Sequence, residues 1–244
     1  MLGLLVGGPA TRSSAIINGN TPDAAPSWAV NLLSWDGQEL APQCSGVLIA
    51  PNLILTVAHC EVVGKNPGFA YIGRANPNPT STGAAEWVVA AYPHSSEDLA
   101  VAQLREPVQL IPIKISSDDA AGNTRHIPYT VYGYGKTKDL TQPGGIDGIL
   151  RRAVGLIAAC PPDAKVLPPD FCLTSPSIQA PCSGDSGGPL VNPDGELVGI
   201  SKGVLHPSGK ATCLGSYWRT VATGGSMRAW IQQMIDAHGQ STAR

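Results

Sequence analysis

No apolar run in this 244-residue chain approaches the roughly 20 residues that a membrane-spanning helix needs. Net charge is small as well, with 16 Lys and Arg against 18 Asp and Glu leaving −2 at pH 7. So even a balance gives no electrostatic footing for nucleic acid or an anionic membrane, and neither is expected as a partner. Phenylalanine occurs only twice, so Trp, Val, Leu and Ile must fill the core. None of the six cysteines stands in a Cys-x-x-Cys pair, which disfavours a zinc site. Helical patterning is scarce until the C-terminal segment, and no repeat or low-complexity tract interrupts the chain.

What the chain has in quantity is punctuation and strand. Its 28 glycines and 22 prolines suit many short strands joined by turns. Strand-like runs occupy Ala29–Ser34, Gly46–Ala50, Ile54–Ala58, Trp87–Ala91, Leu99–Leu104, Thr130–Tyr134, Leu150–Leu156 and Leu197–Ser201. At the end, Ser226 is placed to cap a helix over Met227–Ala237. Met227, Trp230, Ile231, Met234 and Ile235 follow i, i+3, i+4, i+7, i+8 spacing there, a core-packing stripe. The class is all-β with one terminal helix. An even number of cysteines fits a disulfide set made in an oxidising compartment, but 15 pairings of six are possible.

Chemistry concentrates in Cys182-Ser183-Gly184-Asp185-Ser186-Gly187-Gly188-Pro189. A serine between Asp and a double Gly sits on a tight turn where missing Cβ atoms let a substrate carbonyl approach. The Gly184 and Ser186 amides can then face the oxyanion that forms when Ser186 Oγ attacks. A hydroxyl alone is a poor nucleophile and needs a base, itself oriented by an acid. Upstream, His59 ends the apolar run Leu55-Thr56-Val57-Ala58-His59-Cys60, and Asp98 opens the alternating run Glu97-Asp98-Leu99-Ala100-Val101-Ala102-Gln103-Leu104. The order His, Asp, Ser separates this set from unrelated serine hydrolases that place the same roles in other orders. The three motifs together resemble those of the chymotrypsin/trypsin-like serine proteases, and the match runs from Ile16 to the C-terminal helix.

The resemblance implies two six-stranded antiparallel β-barrels and a C-terminal α-helix. Residues 1–15 would be a leader or propeptide remnant, about 16–115 the first barrel, and about 116–244 the second barrel with the helix. The barrels would join near 112–125, and the site would lie between them. It implies disulfides Cys44–Cys60, Cys160–Cys172 and Cys182–Cys213, and a secreted monomer that acts on protein or peptide substrates and meets proteinaceous inhibitors. No cofactor is implied. The Asn66–Ala84 loop lacks the carboxylate cluster that binds calcium in some relatives, so no metal is expected either.

Ile16-Ile17-Asn18-Gly19 resembles the family's mature N-terminus, whose freed amine would pair with Asp185 and make the protein a zymogen until cut. Ala15 stands where a basic residue usually precedes that cut, with Arg12 the nearest arginine. Signal peptidase or an elastase-like cut would serve instead. Met1–Val6 is apolar, shorter than a full signal peptide and without a positive flank, whereas Ser13-Ser14-Ala15 ends in small residues as a cleavage site does. In the family's pattern Ala180 occupies the pocket floor, with Ser201, Gly203 and Gly215 around it. Without an acid at 180, P1 is expected to be neutral, apolar or small. Lys202, which interrupts the usual Ser-Trp-Gly edge, together with His206 or Lys210, is the ground for the second choice, an acidic P1. His94, His126 and His238 are expected to be surface residues, and the tryptophans packing residues.

Two rivals remain. Gly184-x-Ser186-x-Gly188 also fits the nucleophile elbow of lipases and esterases, but that fold needs an acid and a histidine after the serine and many helices. The other is a binding protein on a protease scaffold with silent chemistry, which an unreleased Ile16 or a collapsed pocket would produce without any change to the triad.

Overall fold

The computed structural model describes residues 16–63, 68–118, 127–143, 145–206 and 212–240. Its first half builds six strands: β1 (Ala29–Trp35), β2 (Leu40–Ala50), β3 (Leu53–Thr56), β4 (Gly68–Ile72), β5 (Ala84–Pro93) and β6 (Ala100–Leu104). They close in the order β1-β2-β3-β6-β5-β4, all neighbours antiparallel. The second half repeats the plan with β7 (Pro128–Gly133), β8 (Arg151–Ala158), β9 (Asp170–Thr174), β10 (Pro189–Val191), β11 (Leu197–Leu205) and β12 (Tyr217–Ala222). These close as β10-β11-β12-β9-β8-β7, so each barrel leaves no unpaired sheet edge.

The scarcity of Phe is met differently in the two interiors. Branched aliphatics fill the first barrel, among them Val30, Leu32, Val47, Leu53, Leu55, Ile72 and Val101. In the second barrel Trp218 and Tyr129 supply the bulk, packed with Val131, Leu173 and Leu190. Trp218 fits because Gly155 faces it from β8: a Cβ there would lie 2.5 Å from the indole ring. The dense packing of an interior leaves no room for that atom.

Two segments cross from one half to the other. Ile16–Asn20, counted above with the first barrel, lies on the second: Ile17 bridges Ala180, Asn20 bridges Arg152, and Ile16 is buried in the second core. The helix α1 (Gly225–His238) follows the second barrel in sequence and packs on the first through Met227 and Ile231. Its far end is held by Asn52, whose Nδ2 donates to the His238 carbonyl at 2.9 Å. Gly224, not Ser226, is the N-cap, and no side chain caps the helix; Ser226 lies inside the first turn, where its hydroxyl has no N-cap geometry.

Candidate active site

β3 ends in a short 3-10 turn, Ala58–Cys60, that carries His59 out of the first barrel. Glu61 closes the turn in the left-handed region, and the Cys44–Cys60 disulfide ties it to β2. Asp98 precedes β6, and only His94–Glu97 separate it from the end of β5. That tight connection is built on His94: its Nδ1 accepts from the Ser96 and Glu97 amides at 3.3 and 3.1 Å, and its ring meets Trp230 edge-on at 5.0 Å. His94 is thus a scaffold of the Asp98 turn and not a free surface residue. His238 also has a partner, stacked on Tyr92 at 4.0 Å, whereas His126 lies outside the described residues.

The two elements set His59 Nδ1 2.7 Å from Asp98 Oδ2, while the His59 amide donates to Asp98 Oδ1 at 3.0 Å. Two contacts to one carboxylate fix both the position and the plane of the imidazole. Burial works against the charge on Asp98, but the hydrogen bonds from the His59 ring and amide outweigh it, aided by the charges of His59 and Lys202. The carboxyl is therefore held below its ordinary range and ionised at neutral pH.

Ser186 comes from the loop before β10 in the second barrel, and the first barrel reaches across to it. The Ser45 amide donates to the Ser186 carbonyl at 2.8 Å. Ser45 Oγ donates to the Gly184 carbonyl at 2.8 Å and accepts from the Tyr134 amide at 3.0 Å. Gly187, at φ +83°, packs directly against the first barrel: a Cβ there would stand 2.1 Å from the Ser45 carbonyl oxygen. Only glycine fits both the backbone angle and the space. Ser186 Oγ itself donates to the Lys202 carbonyl at 3.4 Å.

The peptide before Gly184 is oriented too. Lys136 N donates to the Ser183 carbonyl at 2.7 Å, and in a planar trans peptide the next N–H points the opposite way. Among the described residues, the Gly184 and Ser186 amides donate to no group of the chain. Asp185, wholly buried, accepts from the Gly135 and Cys182 amides at 2.8 Å each. Burial pushes its carboxyl up to about 7, against those two hydrogen bonds and the charge of Arg151. No cation pairs with it among the described residues, and Ile16 is still joined to Ala15.

A cavity of about 140 Å³ opens beside Ser186. Its polar lining is Ser183, Ser186, Ser201 and Gly203, and its apolar lining is Leu140, Pro181, Val204 and the Cys182–Cys213 disulfide. Ala180 is buried behind this wall and Gly215 is on the outer surface, so neither touches the cavity. A larger hollow of about 240 Å³ on the first barrel, beside Val57 and Ala58, contains no nucleophile. The third disulfide, Cys160–Cys172, staples β9 to the segment after β8.

Lys202 does not point into the cavity. It is the bulged residue where β11 shifts register against β12, and its Nζ bonds both oxygens of Asp170 at 3.0 and 2.9 Å. Arg219 Nε joins the same carboxylate at 2.7 Å. His206 is taken up by Ser216 Oγ at 2.7 Å, and Lys210 lies outside the described residues. Among the described residues, no group of three or more His, Cys, Asp or Glu could hold a metal ion. Ser45, Gly135, Leu140 and Asp170 were not singled out from the sequence. The adjacency of Ser45 to Cys44 was the one local signal for any of them.

The sequence is similar to those of known proteins. The family model described as Trypsin matches residues 16–231. A trypsin of Saccharopolyspora erythraea is 31% identical over 193 residues, 71% of this chain and 79% of that protein. Glucanase inhibitor protein 1 of Phytophthora sojae is 27% identical over 241 residues, 92% of this chain and 90% of its own length. Serine protease SP24D of Anopheles gambiae is 26% identical over 183 residues, 69% of this chain and 65% of that protein. The family match spans both barrels and the start of α1, and takes in the His59, Asp98 and Ser186 segments alike: the chain belongs to the trypsin family.

Proposed function

We propose that the protein is a serine endopeptidase that cleaves after apolar P1 residues through His59, Asp98 and Ser186. The observation that carries this reading is the 2.7 Å contact of His59 Nδ1 with an ionised Asp98 on the first barrel, together with a second-barrel serine that lines a cavity. Ser186 Oγ attacks the scissile carbonyl while His59 takes its proton and later gives it to the leaving amine. Asp98 fixes the tautomer and stabilises the imidazolium. The Gly184 and Ser186 amides receive the oxyanion, the acyl-enzyme forms on Ser186, and water hydrolyses it.

The P1 preference follows from the cavity wall, which has no charged side chain among the described residues. A basic P1 finds no carboxylate there. An acidic one finds no cation, because Lys202 is committed to Asp170. Cleavage after Ala15 would free the Ile16 amine beside the second-barrel core and give Asp185 the counter-charge it lacks in the uncut chain. Three disulfides suit an extracellular site of action on protein substrates and under protein inhibitors.

A second reading is a binding protein with silent chemistry. The likeness to glucanase inhibitor protein 1 and the turn of Ser186 Oγ toward the Lys202 carbonyl favour it. The test is titration with a fluorophosphonate on protein beginning at Ile16. One equivalent bound by the parent and none by Ser186→Ala supports the endopeptidase. A folded protein that takes up no reagent while retaining protein-binding partners supports the second reading.

A further inference from the structure

Resting on the endopeptidase reading, we propose that Leu140, on the β7–β8 connection, is a specificity-determining residue that limits the size of the P1 side chain. Leu140 lines the cavity that holds Ser186. Behind it lies the cluster of Ile17, Ala180, Cys182 and Cys213, on which Leu140 and Val204 both pack. The wall that a P1 side chain meets is therefore leucine, supplied from 46 positions before the nucleophile, in place of the alanine at 180.

Leu140 is not free to swing aside. Its neighbour Asp139 accepts from the Cys213 amide at 2.6 Å through Oδ1 and from the Thr212 hydroxyl through Oδ2. The same Oδ1 accepts from the Leu140 amide at 2.8 Å. Thr137 N donates to the Gly145 carbonyl at 2.7 Å, and Lys136 bridges Ile146, which closes the base of the loop. Those hydrogen bonds, together with the disulfide wall, turn a surface connection into part of the pocket. An apolar cavity of about 150 Å³ elsewhere accepts a benzene ring. At about 140 Å³ this one suits aliphatic P1 groups such as Val or Leu and crowds Phe and Tyr.

The experiment compares Leu140→Ala and Leu140→Trp with the parent, using peptide esters with P1 Ala, Val, Leu, Phe and Tyr. Rates are normalised to serine-titrated sites, so unfolded protein drops out. One methylene in an apolar pocket is worth about 10–200-fold in kcat/KM. Leu140→Ala is expected to raise the Phe-to-Val ratio at least about tenfold, and Leu140→Trp to abolish all but Ala cleavage, the change falling chiefly in KM. Asp139→Ala, which releases the loop, should blunt the discrimination in the same direction. An unchanged P1 ranking in titratable Leu140→Ala and Leu140→Trp overturns the proposal and leaves the endopeptidase standing. A parent without a titratable serine defeats the endopeptidase reading itself, and this proposal with it.

Discussion

Asp185 gives the uncut chain a pH dependence of the opposite sign to ordinary acid denaturation. Its carboxyl is fully buried, and burial raises it from 3.8 to about 7 despite the Cys182 and Gly135 amides and the Arg151 charge. Below pH 3.8 both folded and unfolded chains hold the proton, and the group's contribution is complete. As pH rises the unfolded chain releases it first, so stability falls until the folded carboxyl ionises near 7. Three pH units at 1.36 kcal/mol each amount to about 4 kcal/mol. Asp185→Asn is the reference, since it keeps the shape and cannot titrate. In urea unfolding between pH 4 and 8, the stability of the parent minus that of Asp185→Asn should fall by about 4 kcal/mol. A flat or rising difference would refute the assignment. Cutting after Ala15 should reverse the slope, because a carboxylate paired with the Ile16 amine contributes at neutral pH and loses that contribution on acidification.

Asp98→Asn should lower kcat by about 10⁴-fold with little change in KM, read from steady-state cleavage of an apolar P1 ester, because the neutral amide no longer fixes the His59 tautomer. Ser45→Ala removes a hydroxyl that holds both the Gly184 carbonyl and the Tyr134 amide. It should cost about 1–3 kcal/mol in urea unfolding and reduce kcat more than it changes KM. Asp170→Asn leaves the buried Lys202 and the half-buried Arg219 without their shared anion and should cost about 3–5 kcal/mol. Lys202→Met, which leaves Asp170 to Arg219, should cost clearly less in the same unfolding series.

The parts of this molecule that can be read from sequence are those whose cause is local. Eight strands announce themselves by apolar runs between turns. The other four do not: β10 has three residues, β4 and β9 five each, and β12 carries Trp218 and Arg219 in a run without clean alternation. The placement of Ile16–Asn20 on the second barrel and of α1 on the first depends on long-range packing that no window detects. In the site, the segments around His59, Asp98 and Ser186 each carry their own short pattern. The cavity wall does not, because residues 140, 181–183, 201, 203–204 and 213 meet only through closure of the second barrel and one disulfide. A lysine on β11, next to Ser201 and Gly203 of the cavity wall, looks like a pocket cation until Asp170 on β9 is brought within 3.0 Å of it.

As the proposed nucleophile, Ser186 should carry an acyl group during turnover. The direct measurement is the mass of the protein beginning at Ile16, quenched in acid milliseconds after mixing with an apolar P1 p-nitrophenyl ester. The expected result is the added mass of one acyl group, located on the peptide that contains Ser186, formed together with a stoichiometric burst of nitrophenol and absent from Ser186→Ala. Hydrolysis that persists undiminished in Ser186→Ala, or an adduct on any other residue, would contradict it.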